Sequence, residues 1–221
     1  MAIGLSVGSG GGNFLPIIKY DARAGRMFRV DREDGVSVPV DITRNFKAVF
    51  DFENLEVGYI NFDTGSAPDF VMVHYSEGLP EKPSDKHRQG LRLTVKLAGE
   101  LGGDVREMAG TSRAIITGVD ALHDAYLAGA ASNAGKLPVV VLADTVAVES
   151  GSGTKKSTNY QPVFEIVGWV KRPGGLDAKE RAASPAPMRS APPATGSTRA
   201  APPAAAPKAK PPAMAEEEDF G

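Results

Sequence analysis

The sequence predicts a mostly β domain with one main helix, followed by a tail that builds no core. Three observations carry this. Eight apolar runs of strand length are separated by Gly, Pro, Asn or Asp. One stretch alone has a helical period. The composition shifts sharply near Pro173, into Pro, Ala, Ser and Gly.

The runs are Phe14–Tyr20, Arg26–Val30, Phe46–Phe52, Leu55–Phe62, Phe70–Tyr75, Leu91–Leu97, Leu137–Val148 and Val163–Val170, all rich in Val, Ile, Phe and Tyr. Phe46, Phe50 and Phe52 fall on one strand face, which predicts their burial. Glu53-Asn54 links the third and fourth runs as a hairpin, although this pair is not a preferred two-residue turn. Ile115, Val119, Leu122 and Tyr126 repeat at helical spacing. Thr111 or Ser112 suits the cap, and Asn133-Ala134-Gly135 then Pro138 the stop.

Many short strands with one helix between late strands fit a partly closed barrel or a sandwich. An OB-fold-like small barrel over residues 1–172 is the expected form. Pattern alone leaves other small barrels open.

Composition bounds the function. The chain has 221 residues and no cysteine, which removes disulfide frameworks, thiolate metal sites and cysteine nucleophiles. The N-terminus lacks the basic and apolar regions of a secretory signal, and no apolar run approaches the roughly 18 residues of a membrane span. A soluble, cytoplasmic protein is expected. Net charge is −2, so a nucleic-acid site must be a local basic patch. His74, His87 and His123 lack metal-ligand spacing. Asp51, Glu53, Asp63 and Asp69 are scattered, and Gly8–Gly12 lacks the Lys-Ser/Thr ending of a phosphate loop. The expectation is therefore a non-enzyme with no cofactor.

The clearest basic signal is the segment from Arg88 to Leu97. Leu91, Leu93, Val95 and Leu97 alternate with Arg92, Thr94 and Lys96, with Arg88 in line behind them. One face packs inward; the other carries cations about 7 Å apart, near the phosphate spacing of an extended strand. A solvated strand face has the same pattern. A second element is Lys155-Lys156 with Tyr160, in a Gly/Ser-rich hairpin tip suited to closing on a nucleic acid or to no role at all. Arg26 and Phe28 share a strand face, and Trp169 precedes Lys171 and Arg172. Aromatics interleaved with cations are what sequence-tolerant single-strand binding requires. Trp169 fits a core position as well as a stacking platform.

Residues 173–215 read as a disordered Pro/Ala-rich linker of extended character, since such composition cannot offset ordering entropy. Residues 216–221 form an acidic tip: Glu216, Glu217, Glu218, Asp219, Phe220 and Gly221. Carboxylates beside an apolar anchor make a short recognition motif, with Phe220 for a pocket and the acids steering toward Arg/Lys on a partner.

This layout resembles the single-stranded-DNA-binding proteins of bacteria and phages, which join an OB domain to a flexible linker and an acidic tip carrying a Phe. Gly221 after Phe220 departs from that pattern and displaces the terminal carboxylate. Gln161–Val170 is also similar to a stretch in phage proteins. The resemblance implies a protein that coats single-stranded DNA, protects it and recruits replication or recombination proteins through its tip. Self-association stays open, as do a phage head, tail or scaffold role and a nucleic-acid-processing enzyme.

Overall fold

The structure, a computed structural model, describes residues 15–65, 67–150 and 156–176. The tip residues Glu216–Phe220, the linker beyond Leu176 and Lys155 lie outside the described residues. Within them the chain is mostly strand with a single α-helix, as the sequence predicts. The strands are β1 (Ile17–Asp21), β2 (Arg26–Glu33), β3 (Val36–Asp41), β4 (Lys47–Phe50), β5 (Glu56–Asn61), β6 (Asp69–His74), β7 (Arg88–Leu97), β8 (Val105–Gly110), β9 (Lys136–Ser150) and β10 (Ser157–Lys171). The helix, α1 (Arg113–Ala130), lies between β8 and β9.

All ten strands belong to one sheet in the order β10-β9-β4-β7-β8-β1-β2-β3, with β5 alongside β7 and β6 outside β5. Every pairing is antiparallel except β1 with β8. β7 is the central strand. Its first half pairs with β5, its last residues with β4, and its other edge with β8. The path curls back on itself where the Tyr160 N–H donates to the Ala22 carbonyl at 2.6 Å, joining β10 to the end of β1. The Tyr20 hydroxyl donates to the Tyr160 carbonyl at 2.9 Å in the same place.

The alternation in β7 works as its pattern requires: Leu91, Leu93, Val95 and Leu97 are buried, and Arg92, Thr94 and Lys96 are not. Phe46, Phe50 and Phe52 are all buried in an aromatic core, where Phe46 and Phe50 meet Phe164 of β10 and Phe52 packs on Phe50. They do not share one strand, because β4 ends at Phe50 and a 3-10 turn (Phe52–Asn54) follows. The expected two-residue hairpin at Glu53-Asn54 is therefore a corner, with β4 and β5 pairing successive stretches of β7 instead of each other.

α1 buries Ile115, Val119, Leu122 and Tyr126 against the sheet. The Ser112 hydroxyl accepts from the Ile115 N–H and caps it. Close approach to β10 depends on two glycines of α1. A Cβ on Gly118 would fall 2.7 Å from Pro162, and one on Gly129 would fall 2.6 Å from Trp169.

Two strands escaped the sequence reading. β3 is an exposed edge strand with Pro39 in it, and β2 reaches it through Asp34-Gly35, both at positive φ. β8 carries Arg106 on its inward face, 5 % exposed, held by Asp31 at 2.6 Å and Asp104 at 2.8 Å. Burial alone raises the Asp31 pKa, but Arg106 and Arg29 outweigh it and hold that carboxyl below its usual range.

The folded body runs past residue 172. Arg172 binds Asp51 and Glu53, the Lys96 ammonium donates to the Gly174 carbonyl, and Leu176 is buried. No helix among the described residues is long and apolar enough to cross a membrane.

Candidate nucleic-acid interface

One face of the sheet forms an open trough of about 1370 Å³. β7, β8 and β1 make its floor. The β2–β3 hairpin forms one wall, and the β5–β6 hairpin forms the other. The floor follows from cross-strand register: Arg92 lies opposite Ala109, Thr94 opposite Glu107, and Glu107 beside Ile17. Side chains that share a pleat share a face, so these residues all line the trough.

Its two walls differ in chemistry. On the β1–β2 side, Lys19 and Arg32 are exposed cations with no ion pair or hydrogen bond among the described residues. Exposed Leu15 and Ile17 lie beside them. On the β5–β6 side are Phe62, 49 % exposed, and the half-buried Phe70, their rings edge to face at 6.4 Å. The Arg92 guanidinium sits 5.1 Å from the centre of the Phe70 ring. It also binds Glu56 at 2.6 Å and lies 3.9 Å from Glu107. Tyr20, next to Lys19 in sequence, turns to the other face and packs against the core; burial, with help from Asp21, pushes its pKa up to about 12, so its hydroxyl keeps its proton.

The residues singled out in the sequence are distributed unevenly about this trough. Arg88, Arg92 and Lys96 do share the outer face of β7. Only Arg92 lines the trough, and it is held by carboxylates. Arg88 is exposed and without a partner among the described residues, whereas Lys96 is engaged by Gly174. Phe28 stands directly across from Lys19 at the trough border. Arg26, two residues before it, pairs with Asp41 at 2.9 Å.

Tyr160 joins β10 to the end of β1 through its backbone, with its Cβ and Cγ packed close to Gly25. Lys156 pairs with Glu149 at 3.2 Å on the β9–β10 ribbon. Trp169 stacks on Tyr126 with centroids 5.7 Å apart and packs on Gly129, away from the trough.

Sequence reasoning missed Lys19, Arg32, Phe62 and Phe70. The signal for the last two was the Asn61–Phe70 stretch, which places a Phe at each end of a polar loop. No group of His, Asp or Glu among the described residues is arranged to hold a metal ion.

No protein-family model matches this chain, and no curated protein or solved structure matches it either.

Proposed function

We propose that the protein binds single-stranded DNA along the β7–β8–β1 trough with little sequence preference. Its cellular role is protection of single strands in replication or recombination, with partner proteins recruited through Glu216–Phe220. The reading is non-catalytic.

One observation carries it: two cations without a partner among the described residues, Lys19 and Arg32, line one open trough with two aromatic rings, the exposed Phe62 and the half-buried Phe70. A strand of nucleic acid presents phosphates on one side and π-faces on the other, and sequence-tolerant binders use both. A duplex hides its base faces, so a site built on aromatics favours single strands. The acidic tip with its Phe supports recruitment by the pocket-and-steering chemistry of short motifs.

The test is fluorescence anisotropy with labelled oligo-dT and with a duplex of equal length. Trp169 is a poor reporter because it is packed on α1. Tighter binding to the single strand, weakened by salt, supports the reading. Equal binding to duplex, or none to either, rejects it in favour of a structural role without DNA.

A further inference from the structure

Resting on that reading, we propose a fixed orientation for the bound strand. Its phosphates run along the β1–β2 wall and its bases turn toward the β5–β6 hairpin. There Phe62 is the base-stacking subsite, and Arg92 is a positioning residue, not a phosphate ligand.

Charge decides the orientation. At the β5–β6 wall the Arg92 guanidinium is neutralised by Glu56 of β5, so it offers a phosphate little net charge. Lys19 and Arg32 have no such counter-charge among the described residues. Phosphate therefore settles near them, and the sugar carries each base across the floor to the opposite wall.

Ring geometry selects the subsite. Phe62 and Phe70 meet at 81°, so Phe70 leaves at least one face of Phe62 uncovered. Phe62 is 49 % exposed, a costly position for a Phe unless something covers it. Arg92 lies over Phe70 while its Nε donates to Glu56. It thereby ties β6, through Phe70, to β5 and β7, which sets the wall on which Phe62 stands. Its Nε and one terminal nitrogen are held by Glu56. Its contribution to binding is the planar, directed pairing that Lys cannot reproduce.

The experiment uses the full chain and two labelled oligonucleotides of about 15 nucleotides, a length within the usual single-strand site range, one oligo-dT and one abasic throughout. Wild type binds oligo-dT more tightly than the abasic strand. Phe62→Ala weakens oligo-dT binding on the order of 10-fold and leaves abasic binding unchanged, because one base loses its platform. Phe62→Trp restores oligo-dT binding. The wild-type salt slope is about 1.4, from two phosphate contacts at roughly 0.7 each.

Arg92→Lys and Arg92→Met both weaken oligo-dT binding and keep the wild-type slope. A phosphate-binding Arg92 would instead give a near-normal Lys variant and a Met variant with a slope lower by about 0.7. That result overturns the orientation, as does an equal loss on both oligonucleotides with Phe62→Ala. Wild type that binds neither oligonucleotide overturns the single-strand reading beneath it.

Discussion

Arg172 and Asp51 lie 121 positions apart, yet both Asp51 oxygens accept from one guanidinium, at 2.8 and 3.0 Å. Asp51 is 1 % exposed at the corner between β4 and β5. Arg172 follows the last residue of β10 and also reaches Glu53 and the Leu176 carbonyl. Hydrogen bonding to Asp51, against the opposing effect of burial, raises the Arg172 pKa further above its already high value. The pair fastens the end of the folded body to the corner from which β5, and with it the β5–β6 wall, departs.

Arg172→Ala should therefore be among the most destabilising single changes at a partly exposed site. It strands a buried carboxylate, a loss of about 3–5 kcal/mol. Urea unfolding of the variant measures this directly. A midpoint within error of wild type means Asp51 finds other solvation, and the fastening is unimportant.

Gly129→Ala tests the seating of α1. Ala is favoured over Gly in a helix by about 1 kcal/mol. Here its Cβ would meet Trp169 Cζ2 at 2.6 Å, deep inside van der Waals distance. Overpacking of this kind costs about 1–3 kcal/mol, so net destabilisation is expected. Trp169 fluorescence should shift as the ring is pushed from Tyr126. A variant more stable than wild type, with unchanged emission, would show that the ring yields freely.

The two halves of the site differed in how far they could be read in advance. β7 was legible because its apolar residues alternate without a break. The cap of α1 was narrowed to Thr111 or Ser112 from local sequence, and the Ser112 hydroxyl takes the role. β8 was not legible, because Arg106 occupies an inward position and its counter-charges, Asp31 and Asp104, come from β2 and from the turn before β8. The fate of Arg92 was equally invisible: Glu56 is 36 residues away and meets it only through the β5–β7 register. Phe62 reads in the sequence as the last residue of the Leu55–Phe62 run. It is exposed because β5 stops at Asn61, whose side chain accepts from the Asp63 N–H and turns the chain. Local pattern gives strands and faces. Which cations remain free depends on long-range pairing that the pattern does not contain.

His123 makes stability depend on pH. Burial lowers its pKa, against Asp120 and Asp124, which act to raise it. Its ring lies among Phe52, Tyr75 and Tyr126, and its Nε2 has no hydrogen-bond partner among the described residues. The folded state thus prefers the neutral ring. The unfolded chain binds the proton more readily, so stability is full above the ordinary value of about 6.5 and falls as pH drops below it. His123→Gln should flatten this part of a plot of melting temperature against pH. A variant with the wild-type slope between about pH 6.5 and 5 would assign that slope to other groups.

The last prediction concerns where charge is read. The sequence directs attention to Arg88, Arg92 and Lys96, but two of these are held by Glu56 and the Gly174 carbonyl. Lys19 and Arg32 line the trough without such partners among the described residues. Removing one cation that neutralises a phosphate of a single strand lowers the salt slope by about 0.7. Lys19→Ala with Arg32→Ala should therefore abolish nearly all salt dependence while folding is preserved, since both side chains are exposed. Arg88→Ala with Lys96→Ala should leave the slope close to wild type. The opposite pattern would move the phosphate path from the β1–β2 wall to the β7 row and leave Phe62 without its strand.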